Sequence, residues 1–310
     1  MESRLLMGLR SRLANFKQLG QFAPRFAWRL ATLRLGETSP AAEPNAVSRY
    51  TGIFRRDDVD RLRPTLERLR AFDPYLLWAT EFLPDDGWVQ KAWELAIIST
   101  YVSNLTDDLT GKEALDIGSG NSTFPVYLSE CLGANAVSFD LPNPNALRLG
   151  WSVRQYEKYG VRRDEGDMLS LPYPDDSWDL VTNISVIEHL NWRFEEGLWK
   201  TVTNAEFNQR TIQCLSEMCR VCRPGGLVYV TSDILTAPIE DEQPDALRTI
   251  TGYSLKDIHE HWIPTVEQHH MSMVEPEPFD AAALQESIDT GREVPSHHKR
   301  PFAFLLKKKA

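Results

Sequence analysis

From about residue 110 onward, short apolar runs alternate with segments of helical spacing, and no other feature constrains the fold as much. Runs at 113–117, 136–140, 178–183, 226–231, 271–275 and 302–307 are expected to be strands. Segments at 123–132, 145–159, 206–222 and 254–262 are expected to be helices. Strand–helix alternation of this kind implies an α/β protein, a parallel sheet with helices on both faces. With 310 residues, 42% of them apolar, the chain has material for a core of ordinary size.

The preceding third divides in two. Residues 1–40 form a basic arm. Residues 1–36 hold seven cationic side chains against Glu2 alone, a net of +6, while the remainder carries −16 of the overall −10. Leu5, Leu6, Leu9, Leu13 and Phe16 fall at near-helical spacing in this arm. Three readings stand for it: an amphipathic helix on an anionic membrane surface, an organelle transit segment, or a helix packed on its own protein or on a second copy. A linker, Thr38 to Pro44, follows. Residues 41–109 are expected to be a helical cap, with Val59, Leu62, Leu66 and Leu69 in one amphipathic segment and Val89, Ala92, Trp93, Ala96 and Ile97 in the next. Trp88, Trp93 and Glu94 of this cap face either a substrate pocket or the core.

The charge of the body bears on partners. A strongly acidic surface has no general electrostatic attraction for a phosphate backbone, so nucleic acid is not expected as a partner. No run approaches the roughly 18 apolar residues of a membrane helix. Four cysteines in a chain of this length suit a reducing compartment, and the expected location is cytoplasmic, with membrane association through the arm as the variant. Cys219 and Cys222 are spaced C-x-x-C, but no second pair completes a zinc tetrahedron, and the late histidines (His259, His261, His269, His270, His297, His298) match no ligand spacing. No metal is expected.

The chemistry concentrates in one stretch. Glu113 to Ser122, EALDIGSGNS, is an apolar strand running into a turn with two glycines. Gly118 and Gly120 allow a tight bend and close approach of a ligand to the backbone. Thr123 stands where the dinucleotide motif has its third glycine, and Asp116 at the strand end would repel a pyrophosphate while attracting a cationic amino-acid tail. Asp140 ends the next strand, twenty-two residues after Gly118. An acid there either accepts both hydroxyls of a ribose or terminates a turn before Pro142. Further on, Gly166-Asp167-Met168, then Leu171-Pro172-Tyr173-Pro174-Asp175, lead into the strand Trp178-Asp179-Leu180-Val181.

This run resembles the class I methyltransferases that use S-adenosylmethionine, the broad group that includes the quinone-biosynthesis enzymes. Val186-Ile187-Glu188-His189-Leu190 and Arg220-Val221-Cys222-Arg223-Pro224-Gly225-Gly226 continue the resemblance, which is strong over 110–235, loose over 250–310 and absent from 1–109. It implies a Rossmann-like three-layer sandwich over 110–310: a mostly parallel seven-stranded sheet with an antiparallel last strand, here preceded by an N-terminal helical extension. It also implies that Asp116, Gly118, Ser119, Gly120, Asp140, Leu141, Asp167, Met168, Asn183 and Ile184 bind the cofactor, with Asp167 on the adenine amino group and Met168 against the ring. The expected activity is methyl transfer by in-line displacement to a small-molecule, saccharide or lipid acceptor, with O-methylation favoured. His189 is either the general base or a brace for its loop, and Glu188 is the second choice as base. Two other functions compete: a cofactor-binding or scaffolding subunit without turnover, and an NAD-dependent oxidoreductase, which Thr123 disfavours. Asn191 to Ala205 is longer than the family's usual connection, and its Trp192, Phe194 and Trp199 suit either a substrate lid or a packed surface loop.

Overall fold

The computed structural model describes residues 50–310 other than 56, 59–60, 66–86, 105–108, 121, 123, 143–152, 196–197, 238, 240–241 and 291–297. The basic arm, the linker, most of the first amphipathic segment of the cap and the start of the 145–159 helix lie outside these residues.

Along the chain come β1 (Gly52–Ile53), α1 (Gly87–Asn104), β2 (Glu113–Ile117), α2 (Phe124–Glu130), β3 (Asn135–Asp140), α3 (Val153–Lys158), β4 (Arg162–Glu165) and β5 (Trp178–Ile184). A 3-10 turn (Ile187–Asn191) then leads to β6 (Trp192–Glu195), β7 (Leu198–Thr201), α4 (Asn204–Val221) and β8 (Cys222–Leu235). The C-terminal part holds α5 (Leu255–Asp257), a π turn (Ile258–Trp262), α6 (Ile263–Gln268), β9 (Met271–Met273), α7 (Ala281–Thr290) and β10 (Lys299–Lys308).

The main sheet runs β1-β10-β8-β5-β2-β3-β4, with β9 also on β10. Strands β2, β3, β4, β5 and β8 are parallel, and β10 returns antiparallel along β8. The chain builds β2, β3 and β4 outward to one side, then crosses back to β5 on the other flank of β2. That reversal opens a crevice beyond the carboxyl ends of β2 and β5, where open α/β sheets bind ligands.

Alternation along each strand produces the three layers. Leu115, Ile117, Phe139, Val181, Val228, Val230, Phe302 and Phe304 face one side, against Phe207, Leu215 and Met218 of α4 and Trp262. Ala114, Ala136, Leu180, Tyr229, Ala303 and Leu305 face the other, against Trp93, Ala96 and Ile97 of α1 and Phe124 and Leu128 of α2. Both faces are buried, which is why these strands read as continuous apolar runs.

Several elements depart from the sequence expectation: β1 pairs with β10 inside the stretch expected to be a helical cap, and α7 falls outside the expected helices. β4, Arg-Arg-Asp-Glu, is an edge strand with no apolar pattern, and it is ordered by pairing with β3. The 191–205 insertion folds as an antiparallel ribbon, β6 on β7, with Trp192 opposite Thr201 and Phe194 opposite Trp199. The helix expected to end at 262 continues to Gln268. Pro264 cannot donate to a helical ladder, and the preceding π turn accommodates it, with the Ile263 N–H reaching back to the Ile258 carbonyl.

The ribbon is rooted by one residue beyond it. Val202 N–H donates to Asn191 O at 3.0 Å, and Arg248 N–H donates to Val202 O at 2.8 Å. Asn191 Nδ2 donates to Arg248 O at 3.3 Å. The Arg248 guanidinium is buried, pairs with Asp257 at 3.0 Å, donates to Gly252 O at 2.7 Å and lies 4.7 Å from the centre of the Phe207 ring. Replacing one partner of a buried ion pair strands the other charge, at a cost of about 3–5 kcal/mol. Arg248→Met should therefore lower the unfolding free energy by about that amount in urea titration; a loss under about 1 kcal/mol would mean that the pair is not what holds the ribbon root.

Candidate cofactor cleft

Three strand ends meet at the crevice. β2 ends in Gly118 and Gly120, both with left-handed backbone (φ 71° and 53°). At Gly118 a side chain is also excluded by contact, since a Cβ there would collide with Val186 from the loop after β5. Gly118 N–H donates to Phe139 O at 2.7 Å, tying the turn to the end of β3. Asp140 closes the clasp: its Oδ2 accepts Gly120 N–H and its Oδ1 accepts Leu141 N–H, each at 2.7 Å. Arg163 of β4 donates to Gly120 O at 3.0 Å, and the Ser119 and Ser138 hydroxyls lie 2.5 Å apart beneath the bend.

A cleft of about 640 Å³ opens here. Gly118, Phe139, Asp140, Leu141, Gly166, Asp167 and Met168 line one half, and Val186, His189, Leu190, Trp192, Arg193, Trp199 and Arg210 line the other. Asp167 is exposed, and its Oδ1 accepts Leu169 N–H at 2.9 Å. The 3-10 turn presents His189 to the cleft, with its ring stacked on Trp192 at 5.6 Å and 25°.

The structure thus brings Gly118, Asp140, Leu141, Asp167, Met168 and His189 to one cavity. The remaining residues expected at the site stand behind its walls. Asp116 is buried and accepts the Thr182 hydroxyl at 2.6 Å. Ser119 and Gly120 belong to the turn itself. Asn183 is buried, donating to Ile117 O at 3.3 Å and accepting Ile187 N–H at 3.1 Å, so it braces β2 against the 3-10 turn; Ile184 ends β5 beside it. Glu188 is buried and accepts the Ser232 hydroxyl at 3.0 Å, turned toward β8.

Among the cap residues, Trp93 packs edge-on against Phe54 at 5.4 Å as a core residue. Glu94 is fully buried and accepts the hydroxyls of Ser185 at 2.6 Å and Thr231 at 3.2 Å. Ser185 carries a left-handed φ of 54° in the loop that brings Val186 onto Gly118. The Trp88 side chain lies outside the described residues.

Cys214, Cys219 and Cys222 are buried, and burial raises all three thiols, Cys222 to about 12. Among the described residues no three His, Cys, Asp or Glu side chains gather as a metal site, and no helix is long and apolar enough to cross a membrane.

The half of the cleft lined by Gly118, Asp140 and Asp167 holds two carboxylates and no cationic side chain. Such a lining repels a pyrophosphate and accepts hydrogen bonds from hydroxyls and amines. Residues 115–230 match the family model described as a methyltransferase domain. The fatty-acid O-methyltransferase of Mycolicibacterium smegmatis is 29% identical over 125 residues, 40% of this chain and 38% of that protein. The demethylmenaquinone methyltransferase of Geobacillus stearothermophilus is 27% identical over 140 residues, 43% and 47% respectively. The chain thus spans under half the length of these curated relatives. Among solved structures, the YcgJ protein of Bacillus subtilis aligns with a TM-score of 0.45 and 15% identity, over 70% of this chain and 98% of that one. A Haemonchus contortus phosphoethanolamine N-methyltransferase, solved with S-adenosylhomocysteine, aligns with a TM-score of 0.46 and 17% identity, over 80% and 60%. The fold is Rossmann-like, and the match places a methyltransferase domain at residues 115–230.

Electrostatics at the turn yields a measurable signature. Burial raises Asp116 to about 7, opposed by the Thr182 hydrogen bond and reinforced by the nearby Asp140 charge. The unfolded chain loses this proton near pH 4, while the folded protein holds it to about pH 7. The resulting stabilisation is whole below about pH 4 and disappears as the pH rises through 7, up to roughly 4 kcal/mol for three pH units. Asp116→Asn retains an acceptor for Thr182 and should remove this component from the urea-derived stability between pH 4 and 8. Parallel curves for the two proteins would rule out the buried acid as its source.

Proposed function

We propose that the protein transfers a methyl group from S-adenosylmethionine to an apolar small molecule or lipid, and that the reaction takes place in the cleft. The observation that carries this reading is the clasp at the strand ends: a left-handed two-glycine turn with Asp140 and Asp167 opening on the same cavity. The names of the matched relatives, which include a fatty-acid O-methyltransferase and a norajmaline N-methyltransferase, support an acceptor of this class.

The cofactor supplies a methyl group on a sulfonium sulfur that departs neutral, so no acid is needed for the leaving group. Asp140 retains lone pairs beyond those given to Gly120 and Leu141, and these accept the ribose hydroxyls. Asp167 accepts from the adenine amino group, with Leu141 and Met168 as apolar surfaces beside the ring. Asp116 sits behind the turn, where a cationic amino group favours its charged form. Gly118, held by Phe139 O and by Val186, lets the backbone approach the ligand.

The chain's main contribution is to align nucleophile, methyl and sulfur, which proximity alone accelerates strongly. A hydroxyl acceptor must also lose a proton, and His189, exposed on the cleft wall and held flat by Trp192, is the base assigned to it. Glu188, facing Ser232, orients the same turn from behind. O-methylation is the favoured outcome. Trp192, Trp199 and Leu190 on the acceptor side favour an apolar acceptor over a saccharide.

Calorimetry with S-adenosylhomocysteine tests the cofactor site. Hydrogen bonds to a charged group contribute roughly 1.5–3 kcal/mol, so Asp140→Ala should weaken binding about ten- to hundred-fold. Asp140→Asn, which keeps an acceptor for Gly120, separates ligand contact from turn collapse. Unaltered affinity in both variants would refute the ribose assignment. For His189→Ala, turnover should fall about a hundred-fold or more with cofactor affinity retained; full turnover would remove the base.

A further inference from the structure

We infer that the methyl acceptor is an anionic amphiphile, whose acid group is anchored by Arg210 while its apolar body lies against the β6–β7 ribbon. This rests on the proposed methyl transfer and names the substrate class for the same cleft.

The acceptor half of the cleft contains two guanidinium groups, and they differ in partnership. Arg193 is neutralised, with Nε 3.1 Å from Glu195 and Nη1 3.1 Å from Glu206. Arg210 has no carboxylate within ion-pair distance among the described residues. Its Nε donates to Leu190 O at 3.2 Å and its Nη2 to Trp192 O at 3.3 Å. Those two bonds fix the plane of the guanidinium and leave Nη1 for a ligand. The side chain is half-buried on the cleft wall. A cation held by neutral carbonyls in a partly dry cavity attracts an anion, and a guanidinium binds a carboxylate or phosphate oxygen directionally.

Apart from His189, the rest of this wall is apolar, formed by Val186, Leu190, Trp192 and Trp199. Two exposed tryptophans line it, Trp192 (37%) and Trp199 (63%). Trp192 and Trp199 lie on one face of the ribbon, since Trp192 is opposite Thr201 and Trp199 opposite Phe194. The Trp192 carbonyl also accepts from Arg210, so the cation and the aromatic face are parts of one construction. A ligand meeting both needs an acid group within a few ångströms of an apolar chain or ring.

The two-glycine turn, where the proposed cofactor lies, belongs to the other half of the cleft, whereas Arg210 is tied to the 3-10 turn and the ribbon through Leu190 and Trp192. Arg210 is therefore a specificity-determining residue for the acceptor.

The test is calorimetry on the full chain saturated with S-adenosylhomocysteine, using decanoate, decyl phosphate, decanol and decyltrimethylammonium as probes. Decanoate or decyl phosphate should bind at least tenfold more tightly than the alcohol and the cation, and the ratio between the two acids separates a carboxylate site from a phosphate site. Arg210→Met should abolish the preference for acids while leaving S-adenosylhomocysteine affinity within twofold, and Arg210→Lys should restore part of it. Equal binding of acid and cation, no binding of any probe, or an unchanged preference in Arg210→Met overturns the inference. So does a loss of S-adenosylhomocysteine affinity in that variant, which would assign Arg210 to the cofactor. Failure of the wild type to bind S-adenosylhomocysteine would sink the methyltransferase reading itself.

Discussion

The Asp140 carboxylate is the constraint on which the rest of the site depends. By accepting Gly120 N–H with one oxygen and Leu141 N–H with the other, it joins the ends of two parallel strands that share no turn. Charge-assisted bonds of this kind are short and strong. Without them the bend after β2 would lose its carboxylate anchor and keep its bonds to Phe139 O, the Arg163 bond to Gly120 O and the Ser119–Ser138 pair. With them, a carboxylate is held at the rim of the sheet with acceptor capacity to spare. Conflicts that a lone sequence would flag, such as acids at strand ends and left-handed backbone, resolve into one ligand-facing assembly.

What was legible in the sequence follows from locality. β2, β3 and β5 lie within a residue of their expected positions because each is buried on both faces and bounded by turn residues. Gly118 and Asp140 stand at strand ends that the local pattern already marks, whereas Asp167 follows the unpatterned β4 and is marked only by the motif resemblance. The hidden elements are those whose order comes from elsewhere. β4 consists of four charged residues and exists through its pairing with β3. The Trp192–Thr201 ribbon depends on Arg248, forty-six residues downstream of Val202, whose carbonyl it holds. The placing of Arg210 carries no signal in the sequence, since its position on the cleft wall is set by the Leu190 and Trp192 carbonyls that accept from it. Asn183, Ile184 and Glu188 fall in the right segment, but burial turns them inward as supports. The alternation of strand faces decides that, and a motif does not encode it.

The ribbon also shows how an inserted segment can alter a site without disturbing the sheet. Arg193 and Lys200 stand opposite each other on β6 and β7, and the Glu195 carboxylate bridges both at 3.1 Å and 3.0 Å. Like charges across a strand pair are unfavourable, and the shared acid removes the conflict. The cationic side chains are thus satisfied within the ribbon, and its tryptophans remain as the surface offered to the cleft.

Glu94 gives the helical cap a different standing from an appendage. It is sealed among Ser185, Thr231 and the Tyr229 side chain, whose hydroxyl donates to the Glu94 carbonyl at 2.5 Å, although it lies outside the segment that matches the methyltransferase family. Cutting the chain at the domain edge would leave two hydroxyls and a phenol facing a void and would free the strained Ser185 loop that presses Val186 onto Gly118. The family-matched segment is therefore not a detachable engine: it borrows part of its scaffold from sequence outside the match.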